Sequence, residues 1–77
     1  MKSDKHTPNS IAEIRVNKGY SIKEVATLLS VPSSRVEQWE QGAVIPSAIH
    51  LLKLCALLET SIEFLYPEIY KNLLSDE

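Results

Sequence analysis

Ser21 to Glu24 is the stretch that most constrains how this chain can fold. The Ser21 hydroxyl can accept a hydrogen bond from the Glu24 amide, while the Glu24 carboxylate accepts one from the Ser21 amide. This reciprocal capping box marks the start of a helix, and Tyr20 and Val25 flank it as a hydrophobic staple would. We therefore expect a helix from this point. Its apolar face is formed by Val25, Ala26 and Leu29.

A tight connection is expected after this helix, because Pro32 disfavours helical geometry at Val31. A third helix is predicted from about Ser33 to Gln41, and Gly42 can end it in the left-handed conformation. At about 100° per residue, one side of this helix carries Val36, Trp39 and Glu40. The opposite side is polar, with Ser34, Glu37, Gln38 and Gln41, and Ser33 lies at the exposed N-terminal end. Residues 21–42 thus predict a helix-turn-helix.

The remaining elements are also predicted to be helices, because no stretch alternates apolar and polar residues as a strand would. Before the helix-turn-helix, Thr7 and Pro8 can start a first helix and Gly19 can stop it. After it, Ser47 can cap a fourth helix and Ser61 a fifth, over residues 62–66, with residues 68–74 as a possible extra helix. We expect an all-α fold with a flexible segment at 1–7, a domain at 8–66 and a helical extension or tail at 67–77.

Composition limits the class of protein. Seventy-seven residues make one small domain, and neither a membrane-spanning run nor a secretory signal is visible. One cysteine, Cys55, cannot form an internal disulfide, so we expect a cytoplasmic protein in which Cys55 is a small buried hydrophobe. His6 and His50 have no partners at metal-ligand spacing, and no nucleophile–base pattern occurs. The sequence predicts neither an enzyme, nor a metal or cofactor, nor a small-molecule substrate.

The order of motifs resembles the lambda-repressor-like helix-turn-helix family (Cro/C1-type, XRE family), which includes phage repressors, Cro proteins and small bacterial regulators. The matching residues run from Ile11 to Tyr66: IAEIR, KGYSIKEVATLLSVPSSRVEQWEQG, a proline at 46, and LLKLCALLETSIEFLY. The resemblance implies a compact five-helix domain. It also implies that Arg15 pairs with Glu40, which agrees with the position of Glu40 on the buried side of its helix, where an unpaired charge would be costly.

The resemblance further implies which residues contact DNA. The family's base-reading positions correspond to Ser33, Ser34, Glu37 and Gln38. Gln38 is the strongest candidate, because an amide can both donate to and accept from adenine in the major groove. Phosphate contacts are expected from two side chains, Lys23 and Arg35, and from the end of the third helix, where backbone amides of Gln41, Gly42 and Ala43 can face phosphate oxygens.

Two departures from the family pattern predict weak DNA binding. Ile22 stands where the family usually has a phosphate-binding glutamine, and Pro32 stands where a capping serine or threonine is usual. The net charge is −2. Residues 1–58 carry seven basic and five acidic side chains, whereas residues 59–77 carry one basic and five acidic ones. Because the predicted binding half is close to neutral, we expect a modest dependence of affinity on salt.

The leading hypothesis is a sequence-specific transcriptional regulator, a repressor of bacterial or phage type, associated with the nucleoid. One domain reads too few base pairs for genomic specificity, so a homodimer on a pseudo-palindromic operator is expected. The alternatives are an antirepressor or adaptor that binds another regulator, and an antitoxin component. A set of C-terminal apolar residues either completes the monomer core or forms a dimer or partner surface: Phe64, Leu65, Ile69, Tyr70, Leu73 and Leu74.

Overall fold

Six helices account for the regular structure between residues 7 and 75, the part that the computed structural model describes; side chains are described for residues 7–73. The helices are α1 (Ile11–Asn17), α2 (Ile22–Leu29), α3 (Ser33–Gln41), α4 (Ala48–Leu58), α5 (Ile62–Leu65) and α6 (Pro67–Ser75). The expected all-α fold with an extra C-terminal helix is confirmed. Apart from Thr7, the predicted segment 1–7 lies outside the described residues, as do residues 76–77 of the predicted tail.

The first helix begins at Ile11 and not at Pro8, so that prediction was wrong. Asn9 explains the difference, because its Oδ1 accepts a hydrogen bond from the Ile11 amide at 3.0 Å and satisfies the exposed helix start. The Thr7 amide donates instead to the Gly42 carbonyl at 2.9 Å. Thr7 is therefore held by a distant loop, whereas Ser10 occupies the N-cap position of α1.

The helix-turn-helix forms at the predicted place. The Glu24 amide lies 3.0 Å from Ser21 Oγ, and the Ser21 amide lies 2.8 Å from Glu24 Oε1, which completes the capping box. The connection is short because Ser30 takes the left-handed conformation, with φ of 60°, and the Val31 amide donates back to Ala26 at 2.9 Å. Pro32 is extended, and α3 starts at the next residue.

The hydrophobic core draws on α1 to α5 and lies between them. Its ten buried members are Ile11, Val25, Ala26, Leu29, Val36, Trp39, Leu54, Leu58, Leu65 and Tyr66. Burying one large apolar side chain contributes about 1.5–3 kcal/mol, and Trp39 and Tyr66 are the largest in this set. The core thus joins the helix-turn-helix to α4 and α5 as one packed unit.

Two C-terminal predictions change with the structure. Leu65 is fully buried, so it belongs to the core and cannot be part of a dimer or partner surface, as it was in one of the two readings of the sequence. Phe64 and Leu73 are 60% and 68% exposed, whereas Ile69 and Tyr70 are half-buried. The side chain of Leu74 lies outside the described residues. The fifth helix also ends at Leu65, one residue before the predicted end.

The fourth helix is apolar on both its inner and its outer side. Leu54 and Leu58 are fully buried, while Ile49 and Leu52 are exposed. Cys55 is half-buried, less than the sequence predicts, and burial raises the pKa of its thiol. No helix in the described part of the chain is long and apolar enough to cross a membrane.

Candidate nucleic-acid interface

The third helix is anchored by its inner side and leaves its outer side open to solvent. Val36 and Trp39 are at most 1% exposed. Trp39 also contacts His50 of α4, with the two ring centroids 5.5 Å apart. Because the apolar side is fixed in the core, the orientation of the polar side relative to the rest of the domain is fixed as well.

An ion pair ties the end of α3 to α1. Arg15 Nε lies 2.5 Å from Glu40 Oε2, Arg15 Nη2 lies 3.3 Å from Glu40 Oε1, and the two side chains are 12% and 10% exposed. Arg15 Nη1 also donates to the Tyr20 carbonyl at 2.9 Å. The guanidinium thereby joins α1, α3 and the segment before α2 through one planar group, a geometry that lysine could not reproduce.

A second tie to α3 comes from Asn9, which the sequence analysis did not single out. Its Nδ2 donates to the Trp39 carbonyl at 3.0 Å and lies 3.5 Å from the Glu40 carbonyl. These carbonyls lie in the last turn of α3, where the regular helical hydrogen bonds end, and the Trp39 carbonyl also accepts from the Gly42 amide at 3.0 Å. An asparagine just before an apolar run can be read as a helix cap. Its contact with a helix thirty residues away has no sequence signal.

The predicted base-reading side chains lie together on the outer side of α3. Ser34, Glu37 and Gln38 are exposed, while Ser33, at the first helical position, is half-buried. The side-chain hydrogen bonds among the described residues involve other positions. The Gln38 amide and the Ser34 hydroxyl can therefore form bonds with a partner at no cost in internal contacts.

The predicted phosphate contacts divide into two groups. Lys23 and Arg35 have exposed side chains that can reach a partner, and so does Gln41, which was predicted to act through its backbone amide. The amides of Gly42 and Ala43 cannot serve as predicted, because they donate to the carbonyls of Trp39 and Gln38, both at 3.0 Å. These bonds close the C-terminus of α3, where Gly42 has a φ of 80°, and Gly42 itself is buried. The prediction of phosphate contacts through these two amides is therefore corrected.

The start of α2 offers a different set of amides. Glu24 donates its amide to Ser21, whereas the amides of Ile22 and Lys23 occupy the first two positions of the helix, where no intrahelical acceptor exists. The helix dipole adds partial positive charge at this end. Ile22 itself is half-buried and packs against the core. Its side chain therefore contributes to stability and has no group that could bind an anion.

The surface around α3 is close to neutral. Lys23 and Arg35 are opposed by Glu24 and Glu37, and all four are exposed. The Glu24 carboxylate is held by the capping box, whereas Glu37 projects from the centre of the outer side of α3. A carboxylate at this position repels phosphates, so it favours partners that present a hydrogen-bond donor to it. In the described part of the chain, no group of histidine, cysteine, aspartate and glutamate side chains could hold a metal ion.

The comparison with protein families decides which class of protein this chain belongs to. A family model described as helix-turn-helix, of the Cro/C1 type or XRE family, matches residues 11–65, more than half of the chain. The chain belongs to this helix-turn-helix family. No match was found among curated proteins. The matched residues include α1 to α5 and therefore both helices of the motif together with their Arg15–Glu40 tie.

Membership in this family gives the chain its general role. Cro/C1-type helix-turn-helix domains bind DNA and act in regulators, so this chain is a DNA-binding helix-turn-helix regulator. The family is in general not enzymatic. In a helix-turn-helix, the second helix is the one placed in the major groove. In this chain that helix is α3, and its outer side is the surface left open by the core.

Proposed function

We propose that this chain is a sequence-specific repressor of bacterial or phage type that reads the major groove with α3. The observation that supports this most directly is the division of α3 into two sides. Val36 and Trp39 are buried in the core, while the side chains of Ser34, Glu37 and Gln38 are exposed and form no hydrogen bond with another described residue. A helix held so firmly can present its polar side to base edges with little loss of conformational freedom on binding.

Each exposed side chain has a defined proposed role. Gln38 forms a bidentate contact with adenine, and Glu37 accepts from cytosine N4. Ser33 and Ser34 contact bases or phosphates at the N-terminal end of α3. Lys23, Arg35 and Gln41 contact phosphates and position the domain, together with the free amides at the start of α2. With Lys23 and Arg35 as the cations, the affinity should fall with salt at a log–log slope of about −2 per subunit.

The operator is proposed to be a pseudo-palindrome bound by a homodimer. One α3 contacts only a few base pairs, and two half-sites about one helical turn apart supply the missing specificity. Binding over a promoter would block polymerase, which is the simplest route to repression. This role places the protein in the cytoplasm, on the nucleoid.

The experiment that tests this function is selection of random DNA sequences with the purified chain at low salt. We expect enrichment of an inverted repeat. Gln38→Ala should relax preference at one base per half-site by about 1–3 kcal/mol, or roughly 5- to 150-fold. Gln41→Ala should weaken binding evenly across sequences, and Asn72→Ala, an exposed amide on α6, should change nothing. Failure of the wild-type chain to enrich any motif would overturn the proposal.

A second candidate function is supported by exposed side chains near the C-terminus, the apolar Phe64 and Leu73 and the carboxylates of Glu63 and Glu68. Exposed apolar side chains accompanied by carboxylates fit a partner that offers an apolar groove and basic side chains. Such a partner would make the chain an antirepressor or adaptor for another regulator, or an antitoxin component. Co-purification of a second protein that is lost with Phe64→Ala, together with failure in DNA selection, would favour this function.

A further inference from the structure

The side chain of Asn9 joins the entry of α1 to the end of α3. Its Oδ1 accepts from the Ile11 amide at 3.0 Å, and its Nδ2 donates to the Trp39 carbonyl at 3.0 Å and to the Thr7 carbonyl at 3.1 Å. Because a side-chain amide has an acceptor oxygen and two N–H donors, these bonds use both of its ends. We call residues 7–9 the entry strap, because they bond to the end of α3 and lead into α1.

The third helix is held by hydrogen bonds at one end. In the described part of the chain, the bonds that reach α3 from α1 and the entry strap all arrive in its last turn or at the residue after it. Besides the bonds of the strap asparagine, these are the Arg15–Glu40 pair and the bond from the Thr7 amide to the Gly42 carbonyl. At the other end, Pro32 occupies the N-cap, where no side chain forms a capping bond.

Hydrogen bonds fix the rotation of a helix more strictly than apolar packing does. Burial of Val36 and Trp39 resists separation of α3 from the core, but the hydrophobic effect has no preferred direction. A hydrogen bond is directional and weakens steeply when the donor and acceptor are misaligned. Donation from Asn9 to the Trp39 carbonyl therefore sets the rotation of α3 about its own axis.

We infer that Asn9 is a positioning residue for DNA recognition, which holds α3 in the rotation that Gln38 needs to contact a base. This inference rests on the proposed function of α3. Side chains extend to about 5–6 Å from the axis of a helix, so a rotation of about 10° moves their tips by about 1 Å. Hydrogen bonds to a base edge tolerate only a few tenths of an ångström. Gln38 directly precedes Trp39, whose carbonyl the Asn9 amide holds.

A purely stabilising role of Asn9 predicts a different result. Loss of stability lowers the fraction of folded chain, and this fraction is the same for every DNA sequence that one sample binds. The ratio of its affinities for two operators would then stay unchanged. Loss of a positioning residue lowers this ratio, because the contact with one base weakens while the phosphate contacts, which carry no sequence information, persist. The affinity ratio is therefore the quantity that separates the two roles.

Asn9→Asp tests the inference, because it keeps the acceptor for the Ile11 amide and turns an oxygen toward the Thr7 and Trp39 carbonyls. The full chain is titrated with a selected operator and with the same operator changed at the base pair where Gln38→Ala relaxes preference. The affinity ratio should fall about 3-fold or more, as loss of one bond of a bidentate contact would cause. Asn9→Ser, which can still cap α1 but lacks the amide donors and adds no charge, should have the same effect.

Two control variants separate this effect from charge and from stability. Asn17→Asp makes the same exchange at the other end of α1, where the side chain is exposed, and should keep the wild-type ratio. Leu57→Ala removes a partly buried side chain that packs against the core, so it should lower the melting temperature and also keep the ratio. Circular dichroism melting sets a temperature at which every variant is folded.

A wild-type ratio in both Asn9 variants, or an equal fall of the ratio in Leu57→Ala, would overturn the inference. Residual dipolar couplings of the backbone amides test the orientation of α3 relative to α4 without DNA. They should change for α3 in both Asn9 variants and stay constant in Asn17→Asp. If the wild-type chain selects no operator, the proposed function fails and these couplings alone decide. A changed orientation of α3 then supports the positioning role of Asn9, and an unchanged one overturns it.

Discussion

The backbone of Thr7 occupies the space that a side chain at Gly42 would need. A Cβ placed on Gly42 would lie 2.4 Å from the Thr7 carbonyl oxygen and 2.7 Å from the Thr7 amide nitrogen. The same two residues are joined by the hydrogen bond from the Thr7 amide to the Gly42 carbonyl. Gly42 therefore combines two requirements, a left-handed backbone that ends α3 and room for the segment that enters α1.

This relationship predicts a large cost for Gly42→Ala. The left-handed conformation alone costs about 1–2 kcal/mol for a residue with a Cβ, and forced overpacking adds about 1–3 kcal/mol. Gly19→Ala is the matched control, because Gly19 has a φ of +86° and no described residue has an atom within 4 Å of the added Cβ. Urea unfolding should show the smaller cost for Gly19→Ala. Equal losses in the two variants would mean that the Thr7 segment moves aside freely.

The Arg15–Glu40 pair should stabilise the domain far more than an exposed pair does. Removing one partner of a buried pair typically costs about 3–5 kcal/mol, and at roughly one-tenth exposure we expect the lower end for Arg15→Ala. Lys18 and Glu59 form the control pair, at 2.9 Å but 39% and 74% exposed. Lys18→Ala should cost less than about 1 kcal/mol. A double-mutant cycle on each pair, by urea unfolding, measures the difference, and similar coupling energies would contradict the assignment.

Tyr66 should make stability fall at high pH. Its side chain is fully buried, and burial raises the pKa of its hydroxyl to about 12. The unfolded chain releases this proton near pH 10, while the folded protein retains it up to about 12. This contribution to stability is therefore complete below pH 10 and is lost as the pH rises through 12. The unfolding free energy should fall between pH 10 and 12, and the part of this fall that is due to Tyr66 should be absent in Tyr66→Phe and remain in Tyr70→Phe.

Tyr66→Phe also tests whether the buried hydroxyl of Tyr66 forms a hydrogen bond. Its hydroxyl has no hydrogen-bond partner among the described residues. Removing a buried polar group that lacks a partner should be neutral or stabilising by about 1 kcal/mol. Thermal unfolding at pH 7 measures this, with Tyr70→Phe again as control. A loss of several kcal/mol would show that the hydroxyl forms a bond on which the fold depends.

Ile22→Gln should exchange stability for DNA affinity. Ile22 packs against the core from the first position of α2, so a polar replacement should cost about 1–2 kcal/mol of unfolding free energy. The new amide can reach a phosphate, and we expect DNA binding a few-fold tighter with an unchanged salt slope, because no charge is added. Titration of a selected operator at several salt concentrations measures the affinity and its salt slope. Unchanged affinity would mean that this end of α2 does not approach the DNA.

The sequence by itself determined the local features of the fold. The capping box at Ser21 and Glu24 placed the start of α2, and Gly42 placed the end of α3. These signals depend on neighbours within a few residues, so they can be read without knowing the fold. The helical period also separated the inner side of α3 from its polar side, and the family resemblance supplied the pairing of Arg15 with Glu40.

The tertiary structure alone decided which surfaces are free. Thr7 was expected to cap a helix, but its amide is bonded to Gly42, and Asn9 holds α3 through contacts some thirty residues away. Leu65 and Leu52 are both apolar residues in predicted helices, yet Leu65 is fully buried and Leu52 is 66% exposed. Periodicity marks which residues share a helix side, whereas burial depends on what packs against that side. The exposure of the outer side of α4 could therefore be recognised only once the positions of the neighbouring helices were known.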